Sequence, residues 1–263
     1  MTKVLAAFAA AIAMLGVVSG ASATTYGQPD GSLHPNVGAF IADFRQNGHP
    51  DVLCSGSLIS PSVFLTAAHC TSYLESKGIS QAWVTFDSTY VEGKSKLIPV
   101  TMHTNPLYNG AQSDPEDIAV LTLQRAVSIT PVQLPTLGLL DNMKANHTLN
   151  GSTAFTSVGY GVHEPVLGGG PPYFPFTSDR NYAIGYFSAL NNVWLRISQN
   201  NATGSGGTCY GDSGGPEFLG GVSSNLQVSL TVTGDAMCLA TNVDYRIDTP
   251  QARAFLGQFV RLP

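Results

Sequence analysis

The sequence predicts an all-β protein of two comparable halves, closed by one helix. Three observations lead there. Charged residues make up 11% of the chain, against about 25% in an ordinary globular protein, while Gly (28) and Pro (16) are frequent, which favours turns over helices. Short runs of aliphatic, aromatic and β-branched residues recur between turn signals along the whole chain. The last segment alone switches to helical spacing.

The first 23 residues read as a secretory signal, with Lys3 near the amino end, an apolar stretch from Val4 to Val18 and small residues ending Ala21-Ser22-Ala23. That stretch is too short and too rich in small residues for a transmembrane span, and nothing later is long and apolar enough to be one. The mature chain is therefore expected to be secreted and extracellular, with no membrane partner. After an amino-terminal segment, 24–36, strand-like runs appear at 37–42, 53–59, 63–67, 82–86, 96–102 and 118–123. Beyond the proline-marked stretch Pro131 to Pro135, further runs lie at 153–158, 193–197, 216–219, 226–233 and 240–247. From Thr249 to Val260 the apolar residues Ala252, Phe255, Leu256, Phe259 and Val260 follow helical spacing, with Thr249 as N-cap and Pro250 in the first turn. The glycine- and proline-rich stretch 168–172 and the stretch 200–207 are read as surface loops.

A formal charge of −5 without a Lys/Arg cluster leaves no electrostatic footprint for nucleic acid. No cofactor fingerprint, phosphate-cradling loop or metal-ligand cluster is visible, so neither cofactor nor metal is expected. Cys54, Cys70, Cys209 and Cys238 in an exported chain suggest two disulfides. Sequence alone permits three pairings; local pairing is the economical one, each loop contributing about 3 kcal/mol.

Three segments carry chemistry. In the run from Gly211 to Pro216 the glycines allow a tight turn that aims the Ser213 hydroxyl outward and lines up the N–H groups of Gly211 and Ser213 as an oxyanion hole. A serine hydroxyl is a weak nucleophile and needs a base and an orienter for that base. His69, in Thr66-Ala67-Ala68-His69-Cys70, ends an apolar run and is fixed at once by a cysteine. Asp117 stands before the apolar run 118–123 and needs a hydrogen-bonding partner there, for which His69 is suited. Asp114 and Glu116 are read as turn residues, and His34, His49, His103, His147 and His163 receive no role.

In this order and spacing the three segments resemble the chymotrypsin-like (trypsin-like) serine peptidase family, from about Val37 to the terminal helix, with a looser middle from Leu139 to Ser205. The resemblance implies two antiparallel six-stranded β-barrels, 37–131 and 132–248, with a C-terminal helix, 249–263, and the active site in the cleft between the barrels. It implies a triad of His69, Asp117 and Ser213, an oxyanion hole of Gly211 and Ser213, and disulfides Cys54–Cys70 and Cys209–Cys238. The expected function is a secreted serine endopeptidase acting on protein or peptide substrates through an acyl-enzyme, a monomer open to protein inhibitors. Competing readings are a non-catalytic binding module and an esterase on the same fold, the serine run being read as lacking the elbow of the common esterase fold.

Three departures from the family pattern set further expectations. The position that holds Asp in members cleaving after Lys or Arg is Gly207, which with Gly234 as a wall implies a neutral or apolar P1 pocket. The stretch Asn36-Val37-Gly38-Ala39 lacks the cleavable start whose amino group pairs with the aspartate beside the nucleophile, so Arg180, Arg196 or a hydrogen-bond network is expected to hold Asp212. Val232-Thr233-Gly234 lacks the serine that supports the triad aspartate in relatives. Three glycosylation sequons, at Asn146, Asn150 and Asn201, matter only in a eukaryotic secretory pathway.

Overall fold

A computed structural model describes residues 24–263; the expected signal segment, 1–23, lies outside the described residues. The strands are β1 (Gln28–Pro29), β2 (Val37–Ala42), β3 (Asp51–Ser60), β4 (Val63–Thr66), β5 (Trp83–Thr85), β6 (Ile98–Thr104), β7 (Ala119–Leu123), β8 (Ala154–Gly159), β9 (Asn181–Leu190), β10 (Trp194–Ser198), β11 (Pro216–Leu219), β12 (Gln227–Gly234) and β13 (Thr241–Arg246). The helices are α1 (Ala68–Ser76), α2 (Leu139–Ala145) and α3 (Pro250–Leu256). None of the described helices is long and apolar enough to cross a membrane.

Strands β2-β3-β4-β7-β6-β5 close the first barrel. In the second, β9-β10-β13-β12-β11-β8 close through the β8–β9 pairing, with β1 added to β9. All pairs are antiparallel. Continuous apolar runs such as Val63-Phe64-Leu65 are wholly or almost wholly buried, as strands covered on both faces require. In the second barrel the apolar filling of Phe155, Leu195, Ile197 and Val228 occupies one part. Buried polar residues are also gathered on its strands: Ser157, Glu217, Ser229, Thr231, Asn242 and Asp244.

Besides the two-residue strand β1, three elements escape sequence reading, each for a local reason. The buried face of β9 is Asn181, Ala183 and Gly185; a Cβ on Gly185 would lie 2.4 Å from Ile197, so small residues replace the apolar stripe that would signal a strand. Helix α1 has no side-chain cap at Ala67 and buries only Ala68, Cys70, Thr71 and Leu74, a weak amphipathic signature. Helix α2 likewise starts from Gly138 without a side-chain cap. At the carboxyl end α3 is shorter than the expected 249–260, and its cap is as expected, Thr249 accepting from Ala252 N.

Candidate active site

His69 opens the chemistry from the second residue of α1. The disulfide Cys54–Cys70 joins β3 to α1 beside it, with ring nitrogen and sulfurs all within 4.8 Å of one another. Those sulfurs are bonded to each other, so this group of metal-capable residues has no thiolate to offer. Asp117 lies just before β7 and is almost wholly buried. Its Oδ2 is 2.8 Å from His69 Nδ1, and its Oδ1 accepts the backbone N–H of His69 at 2.8 Å. Both carboxylate oxygens thus grip one residue. The grip fixes the ring's orientation and leaves Nε2 for the cleft.

Glu116 is a correction to the turn reading. It has a left-handed φ of 53°, an uncommon conformation for a residue with a Cβ, and it is buried. Its carboxylate accepts from Asn105 Nδ2 at 3.1 Å and Tyr245 OH at 3.3 Å. Those bonds hold the backbone that delivers Asp117. Of the histidines given no role, His34 and His163 are buried, His34 stacked on Phe218 and bonded to Asp30.

Ser213 sits in the loop before β11, pressed against the first barrel. Gly214, at φ +79°, lies so close that a Cβ would fall 2.2 Å from Thr66 Oγ1 and 2.7 Å from Ala67 N, which puts the serine loop on the strand end leading to His69. Ser55 bolts the two together: its N–H donates to the Ser213 carbonyl at 2.9 Å, its Oγ donates to the Gly211 carbonyl at 2.9 Å and accepts from Tyr160 N at 2.9 Å. Sequence reading missed Ser55, and an isolated serine in a strand gives no signal for such a role. The N–H groups of Asp212, Gly214 and Gly215 bond to the carbonyls of Cys209, Thr231 and Asp212. Those of Gly211 and Ser213 have no acceptor among the described residues, the condition for binding an oxyanion. Ser213 Oγ makes no hydrogen bond to His69 among the described residues; such contacts tighten in the substrate complex. The five residues Gly211 to Gly215 do spell Gly-x-Ser-x-Gly, contrary to expectation, but they lead into strand β11 and not a helix, so the esterase elbow is absent.

A cavity of about 260 Å³ opens beside Ser213, walled by Thr208, Tyr210, Thr231, Gly234, Asp235 and the Cys209–Cys238 disulfide. Gly234 lines this cavity. Gly207 lies outside its lining: it exchanges backbone bonds with Thr25 at 2.9 and 3.0 Å, and a Cβ there would meet Gln199. Asp235, missed by sequence reading, is the charged group of this wall. Burial raises its pKa, but the N–H groups of Thr241, Leu239 and Ala240 outweigh burial and hold the carboxyl below its usual range. A second cleft, of about 550 Å³, holds His69, Asp117, Tyr108, Trp194 and Arg196, and shares Val232 and Thr233 with the first.

Asp212 makes no ion pair among the described residues. It accepts from Gly161 N at 2.8 Å and Cys209 N at 2.9 Å, and fills space that a Cβ on Gly159 or Gly161 would invade at 2.1 and 2.4 Å. Burial pushes its pKa up to about 7 against those two donors. Of the alternatives offered by the sequence, the hydrogen-bond network is the one present. Arg180 turns instead to the amino-terminal segment: Nε bonds to Asp30 Oδ2 at 2.7 Å, and the remaining nitrogens reach the carbonyls of Gly31, Val37 and Phe86 and the Tyr160 hydroxyl. Arg196 lies in the second cleft. The stretch before β2 is thereby built into the second barrel.

Two closed barrels with an aspartate-held histidine and a glycine-flanked serine at their junction define a protein of the serine-peptidase architecture. A family model described as Trypsin matches residues 34–245, and the chain belongs to that family of trypsin-like serine peptidases. It is 36% identical over 101 residues to glucanase inhibitor protein 3 of Phytophthora sojae, covering 36% of this chain and only 37% of that protein. Longer matches are 26% identity over 212 residues with glucanase inhibitor protein 1 of Phytophthora sojae (78% of this chain, 72% of that protein), and 29% over 221 residues with kallikrein 1-related peptidase b27 of Mus musculus (77% and 76%). Among solved structures, HL collagenase matches with a TM-score of 0.65 at 17% identity, over 90% of this chain and 98% of that one, a likeness of fold.

Proposed function

We propose that the protein is a secreted serine endopeptidase. The observation that carries the reading is the double grip of Asp117 on His69, which orients the imidazole and supports its positive charge. In the proposed reaction His69 Nε2 takes the Ser213 proton as Oγ attacks the scissile carbonyl, and the free N–H groups of Gly211 and Ser213 receive the oxyanion. His69 returns the proton to the leaving amine, and water then repeats the sequence on the acyl-enzyme.

Strand β12 supports an extended substrate. Its pairing with β11 ends at Leu230, while β13 continues alongside as far as Gly234, so Val232 to Gly234 keep an edge to which a peptide can add as a strand. The P1 side chain would then enter the cavity beside Ser213. With the Asp235 carboxylate turned to three backbone donors, we assign this pocket a neutral or apolar P1 residue. Two disulfides and the amino-terminal signal fit an oxidising, extracellular destination. Because the segment 24–36 is clamped by Arg180, no cleavage before Val37 is needed for activity.

The names of the glucanase inhibitor relatives favour a second reading, a binding protein on the same scaffold. Hydrolysis of a denatured protein mixture separates the two. The peptidase reading expects fragments cut after neutral or apolar residues and none with Ser213→Ala; a folded protein that yields no fragments supports the binding protein.

A further inference from the structure

The arginine that the sequence offers to Asp212 has another task. Leu195 and Ile197 of β10 are wholly buried in the second barrel, so the alternation of a strand turns Trp194 and Arg196 outward. Arg196 stands opposite Val243 of β13, and all three side chains line the cleft that contains His69 and Asp117. Arg180 and Arg246 are buried on carboxylate partners. Arg196, by contrast, is half-buried and makes no hydrogen bond or ion pair with any described residue. The one carboxylate lining the same cleft, Asp117, is occupied by His69.

A guanidinium at a half-buried wall presents a planar fork of donors, matched in charge and shape by a carboxylate. Trp194 beside it is held in place by its indole N–H, which donates to the Gln112 carbonyl at 2.9 Å. Val232 and Thr233 border both this cleft and the cavity beside Ser213. A peptide that adds to the free edge of β12 and places P1 in that cavity therefore passes its acyl-side residues into the reach of Arg196.

We infer that Arg196, with Trp194 and Val243, forms a carboxylate-binding subsite that selects peptides carrying Glu or Asp on the acyl side of the scissile bond. This inference rests on the endopeptidase reading for its direction along the substrate. The chain's formal charge of −5 works against acidic peptides at long range, so the preference is a local, short-range one and weakens as salt is added.

The test is a set of end-blocked peptides with one fixed P1 residue and Glu, Gln or Lys placed in turn two, three and four residues before the scissile bond. Wild-type kcat/KM is expected to favour Glu over Gln by about ten-fold at one of these positions, the size of a partly buried charge pair. Arg196→Gln is expected to bring the Glu-to-Gln ratio to about one, Arg196→Lys to restore part of it, and Arg196→Glu to favour Lys instead. Thermal unfolding checks that each variant is folded. Fluorescence anisotropy of the same labelled peptides on Ser213→Ala reads binding without turnover. Hydrolysis at equal rates for Glu and Gln at every position overturns the inference and leaves the peptidase reading standing. Selective binding of the Glu peptide that is lost in Arg196→Gln, without hydrolysis by the wild type, supports the carboxylate site and overturns the peptidase reading. A folded protein that neither binds nor cleaves any of the peptides overturns both.

Discussion

Glu217 is the residue whose replacement most sharply tests the electrostatics of the second barrel. Its side chain is wholly buried, with Ser157 Oγ at 2.7 Å on Oε2 and Asn242 Nδ2 and Thr231 Oγ1 at 2.7 and 3.2 Å on Oε1. Burial pushes its pKa from 4.5 up to about 8 in spite of these donors, and the charge of Asp212 adds to the rise. Asp244, opposite Thr231 on β13, is raised by burial and by Glu217. Arg246 further along β13 is engaged by Asp141 and Asp248. A carboxyl raised in the folded state holds a proton that the unfolded chain releases near pH 4.5. The stability it contributes is whole below about pH 4.5 and is lost as pH rises through about 8. Between pH 4.5 and 7, at about 1.4 kcal/mol per pH unit, the loss reaches about 3 kcal/mol, shared by Glu217 with the coupled Asp244. For a domain of this size that is about 6–12 °C in Tm. Glu217→Gln keeps an oxygen for Asn242 and Thr231, gives an N–H₂ to Ser157, and has no charge to bury. Scanning calorimetry of both proteins from about pH 5 to 8.5 is expected to show equal Tm at the acid end and a higher Tm for the variant at the alkaline end. Curves that run parallel across that range would refute the reasoning.

Three further changes probe the site itself. Asp117→Asn removes the acceptor that fixes the His69 tautomer; kcat is expected to fall about 10⁴-fold, the loss typical of this change in a Ser-His-Asp triad, and a loss under ten-fold would take Asp117 out of the mechanism. Gly214→Ala drives a Cβ to within 2.2 Å of Thr66 Oγ1, so kcat/KM is expected to drop about 100-fold or more through misplacement of Ser213; unchanged kinetics would show that the loop has room. Arg180→Met takes the guanidinium from the buried Asp30 carboxylate and leaves it only His34 as a partner, with an expected cost of about 3 kcal/mol in chemical denaturation, partly restored by adding Asp30→Asn; no change in midpoint would contradict the clamp.

What the sequence reveals follows from where physics leaves a local trace. The apolar runs of β2, β4, β7 and β11 are visible because both faces are covered, and His69, Asp117 and Ser213 are visible because each sits in a motif whose small neighbours serve its chemistry. Strand β9 is hidden because its buried face is Asn181, Ala183 and Gly185. Ser55 and the Asp30–Arg180 pair are hidden for another reason. Their roles depend on partners 156 and 150 positions away, and no local pattern encodes such contacts. The same limit hides the contact of Gly207 with Thr25, 182 positions earlier in the chain.

The central claim is that Ser213 is a nucleophile activated by His69. Reaction of the folded protein with a fluorophosphonate, followed by mass spectrometry of the labelled peptide, measures this directly. The account predicts one label, on Ser213, abolished by His69→Ala while the fold persists. A folded wild-type protein that takes no label, or takes it equally well without His69, would contradict it.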